Sequence, residues 1–67
     1  MFENNGMIIR NLDTAIDLIK VDEAQVALKY IDHAVCMYSK LNWIEMIPLN
    51  KMYERRMEQI NDMLIKA

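Results

Sequence analysis

The sequence holds a single glycine, Gly6, and a single proline, Pro48, in 67 residues. Glycine and proline are the residues that most often interrupt regular structure, so we expect long uninterrupted segments. Apolar residues in those segments recur every three or four positions, which is the period of an amphipathic α-helix. The sequence therefore predicts an all-α protein, either a small three-helix bundle or helices that pair across a dimer.

The first predicted helix spans residues 6–20. Asn4 or Asn5 is its predicted N-cap, because an asparagine side chain can accept a hydrogen bond from a free backbone N–H group. The apolar residues of this segment share one face: Ile8, Ile9, Leu12, Ala15, Ile16 and Ile19. The polar residues on the opposite face are expected to meet solvent: Arg10, Asp13, Asp17 and Lys20.

The second helix is predicted over residues 23–41, after a break that no glycine or proline marks. Asp22 and Gln25 have the spacing of a capping box, in which each side chain bonds the backbone N–H of the other. Val21 and Val26 then occupy the two positions of a hydrophobic staple. The alternative is one continuous helix through this point.

Two lines of apolar residues run along this second helix. The main stripe is expected to pack in the core: Ala24, Ala27, Leu28, Ile31, Ala34, Val35 and Tyr38. A second line lies beside it at spacings of 4, 3 and 4: Val26, Tyr30, His33 and Met37. Packing against one neighbour needs an apolar arc of only about 100°. We therefore expect this helix to contact two other helices, or one helix and a partner.

The third helix is predicted over residues 48–66, because proline is tolerated in the first turn of a helix. Its apolar seam has the heptad spacing of helices that pack side by side: Tyr53, Met57, Ile60, Leu64 and Ala67. Three further apolar residues widen the seam: Leu49, Met52 and Met63. Lys51, Glu54, Glu58 and Asp62 are expected to cover the polar back.

The connection NWIEMIP, residues 42–48, is unusually apolar for a turn. Trp43, Ile44 and Ile47 are expected to fold over the end of the bundle and cover its core. The alternative is that Trp43 is an exposed anchor for a partner, since tryptophan is enriched at binding hot spots.

Arg56 falls inside the apolar stripe of the third helix. Its stem is expected to pack there while the guanidinium reaches water. Alternatively, Arg56 pairs across an interface with Asp32 or Glu45, or with an acidic partner. Lys51, Arg55 and Arg56 would form the contact patch if the protein bound nucleic acid.

The residues that carry chemistry are few. His33 and Cys36 could share a metal ion at their spacing, but the chain has no second histidine or cysteine to complete a site. The pair also lacks the oxyanion-binding turn of a catalytic cysteine. We expect no enzyme activity, no metal and no cofactor. The net charge of -2 makes nucleic acid an improbable partner.

Part of the sequence resembles a known type of helical domain. The segment ALKYIDHAVCMY, residues 27–38, resembles the middle helix of tetratricopeptide-type and MIT (microtubule-interacting and transport) domains. YERRMEQINDML, residues 53–64, resembles the third helix of MIT domains. The resemblance covers at most about half of the chain and rests on common helix-packing residues. It implies a groove between helices that holds a partner helix.

Residues 1–67 are interpreted as one cytoplasmic helical domain that binds another protein. Hydrophobic residues make up 54% of the chain, more than so small a core can cover, so we expect self-association, with a dimer favoured. An adaptor or inhibitor of a larger protein fits this pattern, and the frequent Ile, Asn, Met and Lys suggest a phage or mobile-element accessory gene. The predicted partner or oligomer interface comprises Val26, Tyr30, His33, Met37, Trp43, Met52, Arg56 and Met63.

Overall fold

A computed structural model of the protein describes the backbone of residues 3–66 and the side chains of residues 5–66. Its regular elements are helices: α1 Glu3–Lys20, α2 Ala24–Ser39, α3 Trp43–Met46 and α4 Asn50–Lys66. The prediction of an all-α fold is confirmed, and the ends of the three long helices differ from the predicted ends by a turn or less. Within residues 3–66, no helix is long and apolar enough to cross a membrane.

Helix α1 is the centre of the molecule, because α2 and α4 both pack against it. Its predicted apolar face is confirmed, with Ile8 and Leu12 fully buried and Ile19 partly so. The arrangement is elongated, with extents of 35 × 17 × 14 Å. Among the side chains of residues 5–66, the buried apolar ones are Ile8, Ile9, Leu12, Ala15, Ile16, Ala27, Ile31, Ala34, Leu41, Leu49 and Ile60.

The start of α1 differs from the prediction. The helix is already formed at Glu3, so Asn5 lies inside it and is not its N-cap. Asn5 instead donates a hydrogen bond from Nδ2 to the backbone oxygen of Glu45 at 3.2 Å, which joins α1 to α3. The side chain of Asn4 and the seam position Ala67 lie outside the described residues.

The break between α1 and α2 is confirmed, but the predicted capping box and staple are wrong. Glu23 is the N-cap residue of α2, and its side chain makes no capping hydrogen bond. Backbone hydrogen bonds, rather than a side-chain cap, end α1. Asp22 adopts a left-handed φ of 63°, its N–H donates to Ile19 O at 3.1 Å, and Glu23 N–H donates to Leu18 O at 2.8 Å. This pair of bonds is the Schellman pattern, which closes a helix from its C-terminal end.

The connection between α2 and α4 contains a helical turn, α3, that the sequence analysis did not predict. A capping box starts it: Glu45 N–H donates to Asn42 Oδ1 at 2.9 Å, and Asn42 N–H donates to Glu45 Oε1 at 3.3 Å. Leu41 and Leu49, on either side of α3, are buried in the core. The segment is therefore a folded corner of the molecule.

Candidate partner-binding surface

Trp43, Ile44 and Ile47 form an exposed apolar surface, here called the α3 knob. Their exposed fractions are 71%, 54% and 62%, so the prediction that they cover the end of the core is wrong. Ile47 N–H donates to Trp43 O at 3.3 Å, which places these two residues one turn apart on the outer face. The inward positions are taken by Met46, which packs against the core, and by buried Leu49.

The α3 knob is held on a fixed support. The capping box fixes the turn itself, and the Asn5 hydrogen bond to Glu45 fixes the turn to α1. The Tyr38 hydroxyl bonds to Asn50 Oδ1, which links α2 to the first residue of α4. The backbone of the knob is thus bounded on both sides by segments tied to the core, so less backbone freedom is lost on binding than from an untethered loop.

The rings of Tyr38 and Tyr53 stack on one another near the start of α4. Their centroids lie 3.8 Å apart and the ring planes differ by 6°, so α2 and α4 meet here. Partial burial of the Tyr53 hydroxyl, with a smaller contribution from Tyr38, raises the pKa of Tyr53 above its ordinary value of 10.0. Both causes disfavour the charged phenolate.

The main apolar stripe of α2 and the apolar seam of α4 are each only partly covered. Leu28 and Val35 of α2 were expected in the core, but they are 48% and 40% exposed. Leu64 on α4 is also exposed. The reason is that α2 and α4 each pack mainly against α1, so the side chains that do not face α1 receive little cover.

The second apolar line of α2 splits into two environments. Val26, Tyr30 and His33 are exposed and, with Lys29, line a shallow concave surface of about 370 Å³. Met37 is partly buried against the core, and its Sδ accepts a weak hydrogen bond from Asn11 Nδ2 at 3.8 Å. Met37 therefore serves the α1–α2 contact, whereas the other three remain available for the predicted interface.

Arg56 pairs with a residue that the sequence analysis assigned to solvent. Its Nε lies 3.0 Å from Asp13 Oδ1, with 30% and 50% of the two side chains exposed. The ion pair joins α4 to α1 within one chain, and the alternative pairing with Asp32 or Glu45 across an interface stays a prediction. Of the other predicted interface residues on α4, Met52 is exposed and Met63 packs against the core.

The ion pair of Arg56 with Asp13 also reduces the positive charge that the proposed nucleic-acid patch can offer. Lys51 and Arg55 are exposed, but the third cation of the patch is balanced by Asp13. His33 and Cys36 are both exposed on α2. In the described part of the chain, no three His, Cys, Asp or Glu side chains converge where they could hold a metal ion.

A second concave surface lies on α4 and was missed by the sequence analysis. It has a volume of about 520 Å³ and is lined by Tyr53, Glu54, Met57, Glu58 and Asn61. We call it the α4 acidic surface. The signal for it was present, since Glu54 and Glu58 each follow a residue of the apolar seam. They were assigned to the polar back of α4 from helical spacing alone.

Comparisons with family models, with curated proteins and with solved structures give no match to this chain.

Proposed function

We propose that this protein is a non-catalytic interaction module that self-associates and acts by binding a larger protein, as an adaptor or an inhibitor. The observation that carries the proposal is the α3 knob. Trp43, Ile44 and Ile47 are large apolar side chains that a free monomer leaves in water. Removing apolar surface from water stabilises a complex by about 25 cal/mol per Å² before the costs of association are counted.

The support beneath the knob favours a binding role over accidental exposure. An apolar loop with no structural role can move and collapse onto the nearest surface. The α3 turn is instead held by its own capping box and by Asn5, in a position that keeps Trp43 outward. Tryptophan is one of the residue types most enriched at binding hot spots.

Self-association is supported by the open flanks of α2 and α4. Leu28, Val35 and Leu64 lie exposed there, in a chain too small to cover them itself. Nucleic acid is the weaker alternative, because Arg56 is already paired with Asp13. Binding to nucleic acid would also show a steep loss of affinity with added salt.

The environment of Trp43 tests the proposal directly, because it is the single tryptophan of the chain. In dilute protein we expect red-shifted emission that iodide quenches. On concentration, or on addition of a partner, we expect the emission to move to the blue. Sedimentation at micromolar concentration should then show species larger than 8.0 kDa.

Trp43→Ala should lower affinity and leave the melting temperature almost unchanged, since substitutions at exposed sites alter stability by only about 0.5 kcal/mol or less. Leu49→Ala is the matched control, because Leu49 is buried in the same segment and its truncation should lower the melting temperature clearly. Blue, unquenched emission in the dilute monomer, or a large loss of stability in Trp43→Ala, would show that Trp43 belongs to the core.

A further inference from the structure

The second apolar line of α2 has a relation to α1 that the hairpin of these two helices does not use. Each of its residues follows a buried or partly buried residue of α1 by 18 positions: Val26 follows Ile8, Tyr30 follows Leu12, His33 follows Ala15 and Met37 follows Ile19. An α-helix has 3.6 residues per turn, so this separation is about five full turns. In one uninterrupted helix the two lines would therefore form a single straight stripe.

In the folded monomer this stripe is interrupted, and most of its second half is exposed. Val26 and Tyr30 are 40% and 37% exposed, and His33 is exposed as well. The interruption is short, because only residues 21–23 separate α1 from α2, and none of them is glycine or proline. The chain thus carries an apolar stripe that fits a continuous helix better than it fits the hairpin.

The connection is also suited to becoming helical. Asp22 holds a left-handed φ of 63°, and a residue with a side chain pays a cost there that helical backbone would remove. Glu23 makes no side-chain capping bond, so the first backbone N–H groups of α2 lack that acceptor. In a continuous helix these groups would donate to carbonyls of the preceding turn. Short connections under strain favour the exchange of an element between copies.

We propose that two copies of this chain associate by exchanging α1. The connection straightens, residues 3–39 become one helix, and α1 of each copy packs on α2 and α4 of the other. The contacts of α1 are then formed again between copies, including the pairs Arg56 with Asp13 and Asn5 with Glu45. Exchange of identical elements is a low-cost route to a dimer, because these contacts are kept.

The exchange also gives the second line of α2 a partner. Val26 and Tyr30 lie nearest the straightened connection, where the two long helices cross, so the second copy would cover them. The inference rests on the proposed function in one respect: it takes self-association as given and states how the two copies are joined.

Two substitutions of Asp22 should move the equilibrium in opposite directions. Alanine is a stronger helix former than aspartate and tolerates a left-handed φ poorly, so Asp22→Ala should favour the exchanged dimer. Asp22→Gly relieves the left-handed backbone and weakens the helix, so it should favour the monomer. Each dimer contains two such connections, so the dissociation constants of the two variants should differ by roughly 100-fold or more. Sedimentation over a range of concentrations measures both constants.

A distance within one chain distinguishes exchange from other modes of association. Asn11 contacts Met37 in the hairpin, so spin labels on Cys36 and on the variant Arg10→Cys would lie within about 20 Å, since packed helix axes are about 8–10 Å apart. In a continuous helix the same two positions are about 39 Å apart at 1.5 Å per residue. Pulsed electron paramagnetic resonance, with labelled chains diluted in excess unlabelled protein, should show the longer distance on association.

The second line is tested by a matched pair of substitutions. Tyr30→Glu places a charge in the contact between copies and should weaken the dimer by at least about tenfold, while the dilute monomer keeps its helix content. Gln59→Glu adds the same charge at an exposed position of α4 and should associate like the natural protein.

Three results would overturn the exchange: a short intrachain distance in the associated protein, equal association of Asp22→Ala and Asp22→Gly, or equal association of Tyr30→Glu and Gln59→Glu. The proposed function fails separately. If Trp43 is buried in the dilute monomer but the intrachain distance lengthens on association, the exchange holds and the α3 knob is not the binding surface. If neither the natural protein nor Asp22→Ala forms species larger than 8.0 kDa, the exchange and the proposed self-association both fail.

Discussion

Tyr53 shows how a single residue can report on the junction between α2 and α4. Its ring stacks on Tyr38, and partial burial makes loss of its hydroxyl proton less favourable in the folded chain than in water. The pKa of Tyr53 therefore lies above 10.0 in the folded protein. The unfolded chain, where the phenol is hydrated, keeps the ordinary value.

This difference predicts a loss of stability at high pH. Well below pH 10.0, Tyr53 is neutral in both states and its contribution is complete. As the pH rises above 10.0, the unfolded chain releases the proton first, so the free energy of unfolding falls until the folded pKa is passed. Urea unfolding across this range measures the fall.

Tyr53→Phe should make that decline shallower, because phenylalanine keeps the stacked ring and has no proton to lose. Tyr30→Phe, at an exposed position of α2, is the control and should retain the natural pH dependence. An equally steep decline in Tyr53→Phe would contradict the assignment to this hydroxyl.

At the scale of elements, the α1–α2 corner is set by the backbone at Asp22. Its left-handed φ of 63° is costly for most residues with a side chain and costs glycine nothing. We therefore predict that Asp22→Gly raises the free energy of unfolding by about 1 kcal/mol. Thermal or urea unfolding measures the change.

The control for this prediction is Asp17→Gly, which places glycine within α1 at an exposed position of ordinary helical backbone. That change should lower stability by about 1 kcal/mol, the usual cost of glycine inside a helix. If both variants lose stability alike, the left-handed backbone of Asp22 carries no strain that glycine relieves.

The connections that begin at Asp22 and at Asn42 also show which features of the fold can be predicted from sequence and which cannot. Asp22 and Gln25 have capping-box spacing and form none, whereas Asn42 and Glu45 have the same spacing and form one. The capping-box spacing is a local sequence pattern, and the hydrogen bonds of the neighbouring backbone decide whether the box forms. The backbone N–H of Asp22 already donates to Ile19 O at the end of α1, so it is not free for a capping box. The capping-box spacing of Asn42 and Glu45 could have predicted the α3 turn. It was missed because Trp43 and Ile44, which lie between them, are apolar and were expected to cover the core.

The whole molecule depends on α1, because both long neighbours pack on it and Leu12 lies fully buried at its centre. Leu12→Ala should cost about 2–5 kcal/mol through lost burial and the cavity left behind. A small domain has only about 5 kcal/mol of stability, so this variant should be largely unfolded. Circular dichroism would show the loss of helix.

Leu28→Ala is the matched substitution on the open flank of α2, where nearly half of the side chain is exposed. It should preserve helix content and change stability little. Equal losses in the two variants would mean that α2 and α4 are closed against each other in solution.

This contrast also explains which parts of the fold could be predicted from sequence. The buried face of α1 was predicted correctly, because two neighbours cover it and its apolar stripe has one interpretation. Leu28 and Val35 were misplaced, because periodicity identifies a face of a helix and not the element that covers it. The acidic surface of α4 was missed for the same reason, and the Arg56–Asp13 pair depended on a helix register that spacing alone does not set.

The central position of α1 also has a consequence for the order of assembly. Helices α1 and α2 are adjacent in sequence and can form a hairpin by closing a short loop, which is fast and costs little entropy. Helix α4 contributes one buried side chain, Ile60, and three partly buried ones, Tyr53, Met57 and Met63, and it joins a hairpin that already has its own contacts. We expect α4 to dock last during folding and to open first under native conditions. The element that carries the acidic surface would then be the least protected part of the described chain.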